Sequence, residues 1–401
     1  MLIESNAGMQ NKHLEHIEDL PLNVGVRGTQ MVLSILRGYG NILRGRASKR
    51  FGITMKWDGA PSVFAGTDPE TGKFFVATKG IFAKTGPRVA YTDEDVQELY
   101  GHSPELASKM SDALRYLPGI GIQGVLQGDL MFTQDSLKDE TIDGTDYVVF
   151  RPNTIAYAVP ADSRMAARIR RAKIGVVWHT QYSGKTLSAL KGSFLPDIGR
   201  LKKTQSVWFQ DASLPDYAGV ATFTEQESKA YWDLLREIEA ASRSSMSAVA
   251  AVASDEGLSQ DVKTYVNSQV RQGRYKPTGR GFTKWVRDRG SAAADQLKTD
   301  AGKESAKLRA SKDEREAKRN EGALDAVFGL QQMVVNAKGM VLSKLQAIQT
   351  IPAFVPTPAG YEVAKPEGFV VIDHFTKAAV KLVDRLDFSY QNFTAAKEWS
   401  K

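Results

Sequence analysis

The feature that most restricts how this chain can fold is a change of hydrophobic period that happens twice along it. From residue 51 to about residue 182 the apolar residues fall in short strand-like runs bounded by turn residues. Residues 225–253 and 259–350 are instead rich in Ala, Lys, Glu and Ser at helical spacing, until Pro352, Pro356 and Pro358 end them. Two strand-like segments, 368–372 and 378–383, then return ahead of a short helix to Lys401. The simplest fold with this pattern is α+β: antiparallel sheets with helices, interrupted by a large helical insertion whose far side returns to the sheets. The expected units are an N-terminal helical segment, 1–50, packed on the β-rich domain; the first part of that domain, 51–190; a helical, basic accessory domain, 191–355; and the final strands with the terminal helix, 356–401.

Local signals fill in the first part. Residues 51–57, 62–65 and 73–78 read as strands, with Asp68-Pro69-Glu70-Thr71-Gly72 turning between the last two. Ser103-Pro104-Glu105 is a helix start, with Ser as N-cap and Pro in the first turn. Residues 125–132, 147–151, 154–159 and 174–182 read as buried strands. A short helix over 161–173 separates the last two, and its Arg164, Arg168 and Arg171 fall on one face at i, i+4 and i+7.

Composition excludes several chemistries. The chain has no cysteine, which rules out disulfide scaffolds, thiolate metal sites and cysteine nucleophiles. No apolar run approaches the roughly 20 residues of a membrane helix, and residues 1–20 show no secretory signal, so a cytoplasmic protein with no membrane partner is expected. The five histidines show no metal spacing, and neither a Gly-x-Ser-x-Gly elbow nor a P-loop occurs. Lys and Arg outnumber Asp and Glu 53 to 46. The excess is local: residues 263–289 carry Lys263, Arg271, Arg274, Lys276, Arg280, Lys284, Arg287 and Arg289 against Asp288 alone, with Tyr265, Tyr275, Phe282 and Trp285 among them. Cations beside planar rings suit a phosphate backbone with splayed bases; the bland alternative is a solvated helical face whose rings enter a core.

The chemistry concentrates in a few strings. Lys56-Trp57-Asp58-Gly59 ends the first strand, where partial desolvation would lower an amine's pKa, as a nucleophilic lysine requires. Thr78-Lys79-Gly80, Gly128-Asp129-Leu130, the aromatic strands of residues 147–157, Pro366-Glu367-Gly368-Phe369-Val370-Val371 and Val380-Lys381-Leu382-Val383 follow in that order. Lys56 can be an ordinary strand-end lysine and Asp129 a turn acid when each is taken singly. The ordered set is far more specific than any member. In it the chain resembles the covalent nucleotidyltransferase superfamily of polynucleotide ligases and capping enzymes, and more narrowly the RNA-ligase-like proteins of large tailed bacteriophages.

The resemblance implies a nucleotidyltransferase (ligase adenylation) domain and an ATP-dependent RNA ligase. Lys56 would attack the α-phosphate of ATP to give lysyl-AMP. AMP would pass to a 5′-phosphate, which a 3′-hydroxyl would then join. Asp58 would bind ribose or orient the lysine, and Gly59 would line the nucleotide pocket. Asp129 and Glu367 would contact ribose or hold Mg²⁺ or Mn²⁺, while Lys381, Lys377 and Lys79 would face the phosphates. Phe150 or Tyr157 would stack on the base, with Trp178 competing. Arg164, Arg168, Arg171, Arg271, Arg274, Lys276, Arg280 and Lys284 would contact RNA, or DNA. A separate end-healing kinase/phosphatase would prepare the ends, in the host cytoplasm for a phage-encoded protein. Pro61 stands where the family often has arginine, Asp129 where it usually has Glu, and one lysine is in register near residue 381 where two are common. Only about twenty residues follow Lys381, too few for the domain that follows it in DNA ligases and capping enzymes. The alternatives are a DNA ligase or other AMP or GMP transferase of unusual architecture, and a non-catalytic nucleic-acid-binding phage protein with a degenerate nucleotide pocket.

Overall fold

A computed structural model describes residues 14–46, 50–213, 222–346, 351, 353–357, 360–363, 367–374 and 379–386. Lys377 and the expected terminal helix lie outside the described residues. In chain order the elements are β1 (Glu15–His16), α1 (Leu20–Ile42), β2 (Phe51–Lys56), β3 (Ser62–Thr67), β4 (Phe74–Ala77), α2 (Asp93–Tyr100) and α3 (Pro104–Tyr116). Then come β5 (Val125–Thr133), β6 (Lys138–Ile142), β7 (Thr145–Phe150), β8 (Ala156–Pro160), α4 (Arg164–Arg171), β9 (Ile174–Ser183), β10 (Lys191–Phe194) and β11 (Val207–Asp211). Six helices follow: α5 (Glu225–Ser244), α6 (Met246–Ser254), α7 (Glu256–Arg271), α8 (Gly279–Asp295), α9 (Asp300–Arg319) and α10 (Glu321–Leu345). The chain closes with β12 (Ala353–Thr357), β13 (Gly360–Val363), β14 (Gly368–Asp373) and β15 (Ala379–Leu382).

The fold is mixed α+β, and its late strands return to early sheets as the periodicity requires. One sheet has the order β1-β15-β14-β2, and a second runs β13-β12-β8-β7-β6. The third runs β10-β9-β5-β3-β4, with β11 also pairing β9. β14 pairs antiparallel with β2, and β12 with β8, so the helical region is an excursion between strands that lie side by side. Helix starts follow the expected chemistry. Pro104 opens α3, Ser163 Oγ accepts from the Ala166 amide at α4, and Thr224 with Glu227 makes a capping box at α5.

The boundaries of the helical region differ from the expected 191–355. β10 and β11 belong to the β9 sheet and β12 to the β8 sheet, which leaves α5–α10 as the excursion. Runs of four or five residues carry too little alternation to be read as strands. The excursion is also not packed separately. One continuous core holds Leu36 and Tyr39 of α1, Tyr231 of α5, Val266 of α7, Val334 of α10, and Ile53, Phe369 and Val380 of the first sheet. The mixed-charge run 298–319 is α9, which buries Ala317 alone. No described helix is long and apolar enough to cross a membrane.

Strand register settles which side chains share a face. Gly368 stands opposite Lys56, Val370 lies between Thr54 and Lys381, and His16 of β1 stands opposite Lys381 in parallel pairing. Lys56, Thr54, Val370, Lys381 and His16 therefore share one face of the sheet, while Ile53, Met55, Phe369, Val371, Val380 and Leu382 turn to the core. Gly368 has φ +150°, and a Cβ there would lie 2.3 Å from the Leu382 carbonyl oxygen, so only glycine lets β14 run this close to β15.

Candidate functional site

The loop after β2 is pinned to all three sheets, and that pinning builds the site. The Ala60 amide donates to the Leu130 carbonyl (3.1 Å) and the Leu130 amide to the Pro61 carbonyl (3.0 Å), holding the loop along β5. A Cβ on Gly59 would lie 2.4 Å from Asp129 Cβ, so a residue with a side chain could not lie there. Asp58 is buried and points to the β7–β8 loop. Its Oδ1 accepts from Asn153 Nδ2 (2.7 Å), and its Oδ2 accepts from the Thr154 and Ile155 amides (2.8 and 2.9 Å). The Asp58 amide donates to the Tyr157 hydroxyl (2.8 Å). With both oxygens engaged, Asp58 orients the loop that follows Lys56 instead of offering a free oxygen to a ribose.

Lys56, at the end of β2, forms an ion pair with Glu367, the residue before β14. The Lys56 side chain is 30% exposed and that of Glu367 is 8% exposed, so the pair opens toward solvent on the lysine side. Asp129 and Asp58 add negative charge that reaches Lys56. Asp129 Oδ1 lies 3.8 Å from His179 Nε2, and His179 Nδ1 is 2.8 Å from Thr180 Oγ1. Lys381 shares the sheet face with Lys56 and has no ion-pair partner among the described residues.

The electrostatics correct one expectation. Burial acts to lower the Lys56 pKa, but the facing carboxylate of Glu367, with Asp129 and Asp58 behind it, outweighs burial and raises it above the ordinary lysine value. The resting ammonium is thus held charged, where strand-end desolvation alone had pointed to a lowered value. Burial raises the Glu367 pKa against the opposing pull of Lys56. At Lys381 burial, then the charges of Lys56 and Arg385, lower the pKa.

The aromatic expectations are corrected too. Phe150, Tyr157 and Trp178 are 1%, 2% and 0% exposed, so none offers a face to a base. Tyr157 packs between Trp57 (5.0 Å between ring centres) and Phe150 (5.6 Å), and its hydroxyl holds the Asp58 amide, which makes it part of the scaffold. In the basic stretch, Tyr265, Tyr275 and Phe282 are buried, and Trp285 packs on Phe282. Helical spacing turns these rings into the α7–α8–α10 core with Phe328, as the bland alternative had it. The charges behave otherwise: Arg271, Arg274, Lys276, Arg280 and Lys284 are exposed, and Lys284 pairs with Asp288. Arg164, Arg168 and Arg171 are exposed along α4, while Arg170 pairs with Asp139. Lys79 is exposed on the 3-10 turn Lys79–Phe82 and makes no ion pair among the described residues.

Sequence reasoning missed the groups that frame the site. Asn153 clamps Asp58, and His179 faces Asp129. Behind Lys381 lies a buried ionic cluster. Glu18 Oε1 accepts from Lys338 Nζ (2.7 Å) and Arg385 Nε (3.0 Å), Asp19 pairs with Arg385, and Lys338 Nζ also donates to the Val383 carbonyl (2.8 Å). The Arg385 guanidinium sits 5.7 Å from the centre of the Tyr275 ring, which brings the basic loop 272–278 against the segment that follows β15. The one available signal was the turn-forming Pro152-Asn153; nothing local marks the cluster.

No group of three or more His, Asp or Glu side chains gathers as a metal site among the described residues. The carboxylates of Asp129 and Glu367 both act on Lys56. Residues 11–397 match a family of unknown function, DUF6267, and the chain belongs to that family. No curated protein and no solved structure matches it.

Proposed function

We propose that this protein is a covalent nucleotidyltransferase of the RNA-ligase type, with Lys56 as the nucleophile toward the α-phosphate of ATP. The observation that carries the reading is the Lys56–Glu367 ion pair: two residues from separate strings, more than three hundred positions apart, meet beside Asp129 and Lys381. For Lys56 to attack, its ammonium must lose a proton, and Glu367 is the acceptor already in contact. The amine then forms the nitrogen–phosphorus bond, and the bond to pyrophosphate breaks. Lys381, cationic and unpaired among the described residues, neutralises charge developing on the phosphate. Asp129 and Glu367 would hold a divalent cation, which supplies charge neutralisation at the phosphates. The exposed arginines of α4 and the cations of residues 271–284 would take the polynucleotide backbone, RNA first and DNA second.

The test is incubation with α-labelled ATP and Mg²⁺ or Mn²⁺ followed by denaturing electrophoresis. Label should survive denaturation in the wild type and vanish in Lys56→Ala; an adduct at another lysine, or none with ATP, GTP or NAD on folded protein, overturns the reading. A second reading, a nucleic-acid-binding protein with an inactive pocket, is favoured by the buried aromatics and by the raised Lys56 pKa. It predicts RNA binding without label.

A further inference from the structure

His179 takes no part in the reaction proposed above, yet the sheet is built to bring it there. β5 and β9 pair with Gln127 opposite Thr180 and Gly128 opposite Trp178, so two residues of β5 are spanned by three of β9. His179 is the extra one, in a β-bulge, the device by which a strand re-aims a single side chain. The imidazole is turned to Asp129, with Nε2 3.8 Å from Oδ1, and the two side chains are 27% and 22% exposed, so the gap between them opens to solvent. The polar groups beside them are occupied. The Tyr182 hydroxyl donates to Gln127 Oε1 (2.8 Å), Gln127 Nε2 to Ser62 Oγ (3.0 Å), and Ser62 Oγ to the Gly128 carbonyl (3.4 Å). Ser62 stands opposite Asp129 across β3 and β5. Neither Asp129 nor His179 Nε2 makes a hydrogen bond with any described residue.

The tautomer follows from the partners. The carboxylate facing Nε2 favours a proton on that nitrogen, and Nδ1 then accepts from the buried Thr180 hydroxyl (2.8 Å). A distance of 3.8 Å is too long for a direct hydrogen bond, and it leaves room for one oxygen at about 2.7–2.9 Å from each group. Such an oxygen must accept from an N–H and donate to a carboxylate. Water and hydroxyl groups do both; a phosphate or carbonyl oxygen has no proton for Asp129. We infer that His179 and Asp129 hold a ribose hydroxyl of the nucleoside triphosphate, and that His179 is the residue by which the site tells ribonucleotides from deoxynucleotides. The assignment rests on the proposed nucleotide transfer, which brings the ribose to the loop after Lys56. Gly59 of that loop lies against Asp129, where a Cβ would come within 2.4 Å of the aspartate's own.

The experiment compares ATP with 2′-deoxy-ATP and 3′-deoxy-ATP on the full chain, by calorimetry and by covalent labelling from the α-labelled forms. No polynucleotide is present, so the hydroxyl that is read is the nucleotide's own. Wild type should bind at least one analogue about tenfold more weakly than ATP, as loss of a hydrogen bond to a charged group predicts. His179→Phe, which keeps a ring on the bulge without nitrogen, should remove that preference by weakening ATP and leaving the analogue where it was. His179→Gln, whose amide can donate, should restore part of it. Equal binding of ATP and both analogues by the wild type overturns the inference. So does a His179→Phe variant that weakens every nucleotide alike, because a merely structural role cannot tell them apart. Labelling of Lys56 without a ribose preference removes this inference alone. A ribose preference without covalent label supports the hydroxyl site and overturns the nucleotide-transfer reading, and no binding of any nucleotide overturns both.

Discussion

Two ionic groups tie together residues more than three hundred positions apart, and they differ in what their charges can do. The cluster of Glu18, Asp19, Lys338 and Arg385 is closed: its side chains are 0%, 11%, 3% and 6% exposed, and two anions meet two cations. Gln331 packs against it and donates to the Glu18 backbone carbonyl (3.0 Å). The Lys56–Glu367 pair is open on one side, with an unmatched cation at Lys381 and a further acid at Asp129 within its field. A balanced, sealed cluster has no partner to exchange. An open pair with spare charges beside it can trade its internal ion pair for a ligand. The first group reads as a fastening and the second as a site.

Four experiments press on that difference. Arg385→Met leaves Glu18 and Asp19 buried without their shared cation, and should cost about 3–5 kcal/mol in urea unfolding. A cost comparable to that of a surface pair would remove the fastening role. Next comes the pH dependence. His16 has its folded pKa held well below the ordinary 6.5, so the unfolded chain binds the extra proton first as pH falls. The His16 contribution is complete above that value and is lost as acidification proceeds below it, at up to about 1.4 kcal/mol per pH unit. The difference in stability between wild type and His16→Phe should follow that slope between neutral pH and pH 5, and a flat difference would contradict it. Lys56→Met should cost less than Arg385→Met, about 1–2 kcal/mol, because burial already raises the Glu367 pKa and the released carboxyl can take a proton; a cost equal to that of Arg385→Met would erase the distinction. Smallest in stability is Arg164→Ala with Arg168→Ala and Arg171→Ala, within about 0.5 kcal/mol. Its signature is the salt dependence of RNA binding, whose slope should fall by about 0.7 to 0.9 for each phosphate that the variant no longer neutralises.

How much of this was legible in the sequence follows from how local each signal is. β2, β5, β9, β14 and β15 were readable because their apolar runs are bounded by turn residues, and α3 because Ser103-Pro104 marks its start. Lys56 and Glu367 could each be singled out because each lies in a distinctive string, but their ion pair could not, since no local signal joins positions so far apart. The fate of the aromatics could not. Tyr157 and Phe282 look the same in sequence whether they face a ligand or a core, and packing by α10 and β7 decides it. The sign of the Lys56 shift also escaped, since desolvation is visible from a strand end but the facing carboxylate is not. The fastening was invisible because Glu18, Lys338 and Arg385 each sit among ordinary neighbours and acquire meaning only on assembly.

The antiparallel pairing of β14 with β2 has a consequence in time as well as in space. A ribosome makes Lys56 early and Glu367 more than three hundred residues later. Until then β2 has the short pairing through Thr54 and Met55 with residues 212–213, and its other edge waits. The nascent chain therefore carries the lysine through more than three hundred residues of synthesis without the carboxylate that holds its charge. The proposed catalytic constellation can form only after the helical excursion has been made, and a chain interrupted before β14 would expose an open strand edge, the feature through which unfinished β proteins aggregate.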